Sequence, residues 1–281
     1  MKAKTLILCL VCAAWPFMRS TAQQATLEKI WTSDTTLRVP ESVYFYAKEN
    51  ILFVANIDGT PWAKDGNGFI SKMTPDGKIT MLKWVDGLNS PKGMGIYGET
   101  LYVADMDELI LIDVSSGSII KREKFEGAEN LNDVTVDPKG IVYVSDSKLK
   151  RVYTYNKGAI SLMLENLGSP NGLLYRPRGL LVLTNGGLHR VGKNKKLTEL
   201  AKIAKSPDGI EHVKGDEFVV SCWQGEMFYV DAKAGTAVKL LDTQAQKLQT
   251  ADIGYDPKKR IVYVPTFFGN TVTAYQLKVA K

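Results

Sequence analysis

The fold is decided by Ser169–Asn185, SPNGLLYRPRGLLVLTN. A short polar opening leads into an apolar run, a Pro/Gly turn follows, and a second apolar run ends in polar residues. Variants recur: SPKGMGIYGETLYVADMD from Ser90, LNDVTVDPKGIVYVSDS from Leu131 and SPDGIEHVKGDEFVVSCW from Ser206. A phrase copied at a steady interval marks one supersecondary unit repeated in space. Aligned on the polar residue at its head, the phrase begins six times, at Glu41, Lys92, Asn132, Asn171, Asp208 and Asp252, at intervals of 51, 40, 39, 37 and 44 residues. Two further alternating runs usually follow, as in Arg151–Lys157 and Ile160–Glu165, and helical periodicity is scarce.

Four short strands in about 40 residues describe a blade of a β-propeller. A lone four-stranded sheet has two faces to bury, and a ring of blades buries each face on its neighbours. The expected fold is therefore all-β, a six-bladed propeller. The sixth blade shows only three runs, Asp252–Asp256, Ile261–Phe267 and Thr271–Lys278. Its missing outer strand is expected from the N-terminal stretch Leu27–Asp34, which would close the ring and cover an open edge. The first interval is long because Asn56–Gly68 inserts a polar loop carrying Trp62. Loops added to a regular repeat tend to gather on the binding face.

Ahead of the repeats, Met1-Lys2-Ala3-Lys4 is a basic head, Thr5–Phe17 an apolar run and Ser20-Thr21-Ala22 a small-residue step. That order predicts a secretory signal peptide over residues 1–22 and an exported, periplasmic or secreted bacterial protein. Residues 23–281 would then form one propeller domain, without a membrane span. Removing the signal leaves 33 basic against 30 acidic side chains, scattered along the chain, which gives no case for nucleic acid. It also leaves Cys222 alone, in the apolar run EFVVSCW, where a buried inert thiol is expected.

Motif scans are otherwise negative. No G-x-S-x-G elbow is present. Gly187–Asn194 approaches a phosphate-binding loop, but Asn194 stands where a Ser or Thr would bind magnesium. It also falls in an expected hairpin, so nucleotide binding is not expected. His189 and His212 lie outside the heads and suit ordinary wall or surface positions.

The innermost strand of each blade lines a central tunnel, so the six heads converge on one mouth. Three carboxylates (Glu41, Asp208, Asp252), two amides (Asn132, Asn171) and the Lys92 ammonium are expected there. Converging carboxylates repel unless positive charge sits among them. Lys92 supplies part of it and a hard cation such as calcium, which takes carboxylate and amide oxygens, would supply the rest. Without a Cys/His cluster, zinc or copper is disfavoured. The bland alternative is a wet, polar tunnel rim built from turn residues.

Pro40-Glu41, Asn132-Asp133-Val134, Pro170-Asn171-Gly172-Leu173 and Pro207-Asp208-Gly209-Ile210 give the chain, over most of residues 38–278, a resemblance to the SMP-30/gluconolactonase/LRE-like family. The resemblance implies a divalent cation, usually calcium, held by Glu41, Asn171 and Asp208. It places Asn132 and Asp133 on the substrate or outer metal side of the site, with Lys92 and Asp252 nearby. It further implies hydrolysis of a lactone or related ester, with the cation polarising the carbonyl and Asp208 as the catalytic group that orients or deprotonates water. The chain departs from the family at Asn130, where sugar-lactonase relatives often carry arginine, and at Ser42-Val43-Tyr44 after the first head. Lys92 in the ring would oppose the metal. The alternative reading is a non-catalytic propeller that binds a ligand or partner protein at its mouth. A monomer with a small-molecule substrate or ligand is expected.

Overall fold

The computed structural model describes residues 25–280; the expected signal segment, residues 1–22, lies outside them. Among the described residues, six four-stranded antiparallel sheets follow one another around a ring. Five of them use four consecutive strands; the innermost strands are Pro40–Tyr46, Pro91–Tyr97, Leu131–Val136, Leu173–Arg176 and Pro207–Lys214. The sixth takes Gly254–Asp256, Ile261–Pro265 and Val272–Val279 from the C-terminal end of the chain and its outer strand, Ala25–Thr32, from the N-terminal end. The closing register runs from Ala25 opposite Val279 to Thr32 opposite Thr273. The closure strand thus begins two residues before the expected Leu27. No described helix is long and apolar enough to cross a membrane.

The closing strand is also fastened to the first blade. The Trp31 indole N–H donates to Pro75 O at 3.1 Å, and its ring stands where a Cβ on Gly77 would be, 2.8 Å away. Gly77 also has φ of 96°, so this turn needs glycine twice over.

Alternation of side chains along each strand produces the core. Its apolar faces meet at six seams. Phe53 and Ala55 of the first blade pack with Val103 and Ile110 of the second. Leu109 and Leu111 meet Val142 and Val144 at the next seam, and Val152 meets Val182 at the third. Leu183 packs against Val220, Tyr229 against Val262, and Leu52 and Val54 against Tyr263 at the last. Cys222 is buried in the fourth–fifth seam, and burial pushes its thiol up to about 12, so it is an inert core residue.

Candidate functional site at the tunnel mouth

The heads reach the axis through a backbone device. Register slips in the innermost strands at Pro40/Ser42, Pro91/Met94, Leu131/Val134 and Pro207/Ile210. A bulge adds one residue against the partner strand and re-aims a side chain. Each slip coincides with a head: Glu41, Lys92, Asn132 and Asp208. The bulges strand amide N–H groups, and serines on the second strands satisfy them. Asp133 N–H donates to Ser145 Oγ at 2.9 Å, and Gly209 N–H to Ser221 Oγ at 2.9 Å. Acidic residues ending the second strands tie down neighbouring loops: Asp105 accepts from the Asn89 and Ser90 amides.

Five heads, Glu41, Lys92, Asn132, Asn171 and Asp208, line one cavity of about 410 Å³ at the mouth. The sixth expected head does not. Asp252 and Asp133 line a different cavity, one layer further along the tunnel, of about 290 Å³. A Cβ placed on Gly209 would lie 2.9 Å from the Asp252 Cα, just as one on Gly93 would lie 2.6 Å from the Asp133 Cα. Asp252 therefore takes the position of Asp133, directly after a head. Its carbonyl accepts from Val43 N–H, and its own N–H donates to Glu41 O. The head of the sixth blade is Ala251, fully buried against Ile57 and Phe267. The alignment at this repeat is off by one residue because Thr250-Ala251 replaces the Pro-polar opening, and a one-residue slip moves a side chain to another layer.

The two layers differ in how they are satisfied. In the inner layer Asp133 accepts from Leu173 N–H at 2.5 Å and Val134 N–H at 2.6 Å, and Asp252 accepts from Ser42 Oγ at 2.6 Å. Burial raises both carboxyls, Asp252 to about 6, while those hydrogen bonds pull them down. Glu211 joins the same cavity, with burial lifting it to about 8.

The mouth layer leaves one buried carboxylate oxygen without a partner. Glu41 is 5% exposed, and its Oε2 has no hydrogen-bond partner among the described residues. Burial raises its carboxyl to about 8, with Lys92 opposing and Asp252 adding to the rise. Asp208 accepts a hydrogen bond from Asn171 Nδ2 at 2.7 Å. Burial holds it well above the ordinary carboxylate range, Glu41 and Asp252 push it further, and Asn171 and Lys92 moderate the rise. Asn132 donates from Nδ2 to Ser147 Oγ at 2.8 Å. Lys92 is 1% exposed; its ammonium donates to Ser90 Oγ at 3.2 Å and lies 4.3 Å from the Trp62 ring centroid. Burial lowers its pKa, and Glu41, Asp208 and Asp105 counter that by favouring the charged form.

Above these polar groups stands an aromatic wall that the repeat pattern does not announce. Trp62, Trp223, Phe267 and Phe268 line the mouth cavity, with Phe268 56% exposed. Trp223 meets Phe267 edge-on at 5.6 Å, and Phe267 meets Phe268 at 4.8 Å. All four sit in the segment after the second strand of a blade. Trp62 and Phe267 have φ of 68° and 51°, a left-handed conformation that is unusual for bulky residues and concentrates at ligand clamps. Trp62 lies on the inserted loop, which thus contributes to this face. His189 and His212 do not line the mouth; His212 is held by Arg176 and Gly215 O.

Glu41, Asn171 and Asp208 are oxygen donors of the kind a calcium ion takes, and the orphaned Glu41 Oε2 is the sort of atom it would satisfy. The rest of the cup does not fit. The buried Lys92 ammonium acts on both carboxylates from the same cavity. A divalent ion placed among the same carboxylates would be repelled by that ammonium. Asn171 turns its amide N–H₂ toward Asp208.

Fold and cavity together define a six-bladed β-propeller with a polar, aromatic-walled site at one end of its tunnel. No protein-family model and no curated protein sequence matches the chain. Solved structures do. A gluconolactonase from Xanthomonas campestris aligns with a TM-score of 0.69 at 15% identity, over 86% of this chain and 87% of that one. A putative gluconolactonase aligns at 0.70 and 15% identity, over 91% and 93%. A catalytically inactive virginiamycin B lyase from Staphylococcus aureus, with quinupristin, aligns at 0.61 and 13% identity, over 90% and 99%. The resemblance of the sequence to gluconolactonase-like propellers is thus met in architecture.

Proposed function

We propose that the mouth cavity binds a small molecule carrying a lactone or related ester and hydrolyses it. The observation that carries this reading is the Asn171–Asp208 pair, a buried carboxylate held in place by an amide and facing a cavity walled by aromatic rings. Asp208 accepts a proton from water as the water oxygen bonds to the carbonyl carbon. The tetrahedral adduct then collapses, the acyl C–O bond breaks, and the proton passes to the leaving alkoxide to give a hydroxy acid or an acid and alcohol. Burial raises the Asp208 pKa above the ordinary carboxylate range, which makes its carboxylate a stronger base than an exposed aspartate. The aromatic wall would hold the apolar part of the substrate and exclude water from the reacting end. Export through residues 1–22 belongs to the same proposal, which places the substrate outside the cytoplasm.

The test is a panel of lactones and aryl and alkyl esters, assayed for acid release by the purified protein with and without chelator. Turnover of one class supports the reading. Saturable binding of panel members to the aromatic wall with no acid released from any of them would favour the second reading, a ligand-binding propeller, for which the exposed Trp223 and Phe268 rings speak.

A further inference from the structure

We infer that Lys92 is the resident cation of the mouth site, standing where the carboxylates would otherwise call for a divalent metal. The inference deepens the mouth-site reading above and rests on Glu41, Asp208 and Lys92 sharing one cavity. Three independent observations point to it.

The first is burial. A lysine as enclosed as Lys92 is rare unless its charge is used, because an ammonium loses its hydration on burial. The second is its company. The ammonium donates to the hydroxyl of Ser90 and shares its cavity with the carboxyl groups of Glu41 and Asp208, while Asp105 lies behind Ser90. Asp105 in turn holds the Ser90 and Asn89 amides, so the strand entry that delivers Lys92 is itself anchored. The third is the cover. Trp62 projects from the loop inserted in the first blade and lays its ring over the ammonium, at the expense of a left-handed backbone at that residue. An insertion that caps the ammonium with an aromatic face makes sense if that charge is a working part of the site.

The chemical consequence is that the positive pole facing a substrate carbonyl or carboxylate is a lysine. It is fixed to the chain, cannot be chelated away, and stabilises an oxyanion through charge and N–H donation. It also offsets one of the two carboxylate charges, of Glu41 and Asp208, that would draw a metal into the cavity.

The experiment is calorimetric titration of calcium and of manganese into chelator-treated wild-type protein, Asp208→Asn, Lys92→Gln and Lys92→Gln/Asp208→Asn, with thermal unfolding measured in parallel. Neither readout depends on turnover, so a failed substrate panel and a failed metal prediction remain distinct. Wild type is expected to show no saturable heat and no change in Tm with millimolar calcium. Lys92→Gln is expected to bind one ion per chain, with a calcium-dependent rise in Tm of about 5 °C or more. Asp208→Asn in that background should abolish the rise. One divalent ion bound to wild type and lost on Asp208→Asn would overturn the inference, as would a folded Lys92→Gln that binds none. Should Lys92→Gln lose its fold, the wild-type titration alone decides between the two outcomes.

Discussion

Two adjacent rings of the same tunnel are built from consecutive residues, yet they serve different ends. The mouth ring (Glu41, Lys92, Asn132, Asn171, Asp208, Ala251) holds a buried oxygen, Glu41 Oε2, that has no partner among the described residues. The next ring (Ser42, Gly93, Asp133, Gly172, Gly209, Asp252) is closed on itself by hydrogen bonds and by glycines that let neighbouring backbones touch. Buried polar groups satisfied from within hold a fold together, and those left open await a ligand. The comparison separates residues that should be probed by stability from residues that should be probed by binding and turnover.

The largest effect is expected in the inner ring. A Cβ at Gly172 would lie 2.2 Å from the Asp208 carbonyl oxygen, a backbone atom that cannot swing aside. Gly172→Ala should lower Tm by about 10 °C or leave the protein insoluble, at about 2–4 °C per kcal/mol for a chain of this size. A Tm within a degree or two of wild type would show that the blades can move apart there, and the contrast between rings would fail.

A smaller, pH-dependent effect is expected at Glu41. Its folded pKa of about 8 lies above the ordinary value of 4.5, so the folded state keeps a proton that the unfolded chain releases. Stability from this group is therefore present below about pH 4.5 and lost as pH rises toward 8. Glu41→Gln, which cannot ionise, should gain Tm over wild type progressively across that window. A difference that stays flat with pH would mean that Glu41 is not a protonated buried acid.

The smallest effect on stability is expected at Trp62. Its contact with Lys92 is worth about 0.5–2 kcal/mol, so Trp62→Ala should cost only a few degrees of Tm while weakening binding of any panel ligand more than that. A collapse of the fold would recast the inserted loop as a structural element.

Much of the fold was legible because one phrase is repeated and each repeat must bury two sheet faces. The mouth ring was legible wherever a Pro-polar or Leu-polar opening marked the head, as at Glu41, Lys92, Asn132, Asn171 and Asp208. At the sixth repeat Thr250-Ala251 carries no such mark, so Asp252 was aligned one position out of place. The aromatic wall was hidden for another reason. Trp223, Phe267 and Phe268 directly follow or closely adjoin core strands, and their composition is that of the core; only the turn after the second strand brings them to the mouth cavity. Trp62 was visible because its loop interrupts the repeat.

The proposed chemistry depends most directly on Asp208. Turnover of the best panel substrate by Asp208→Asn should fall by about 10²–10⁴ in kcat/KM, in chelator, with Tm at or above the wild-type value. Hydrolysis retained by a folded Asp208→Asn protein would contradict the assignment and leave the mouth as a binding site alone.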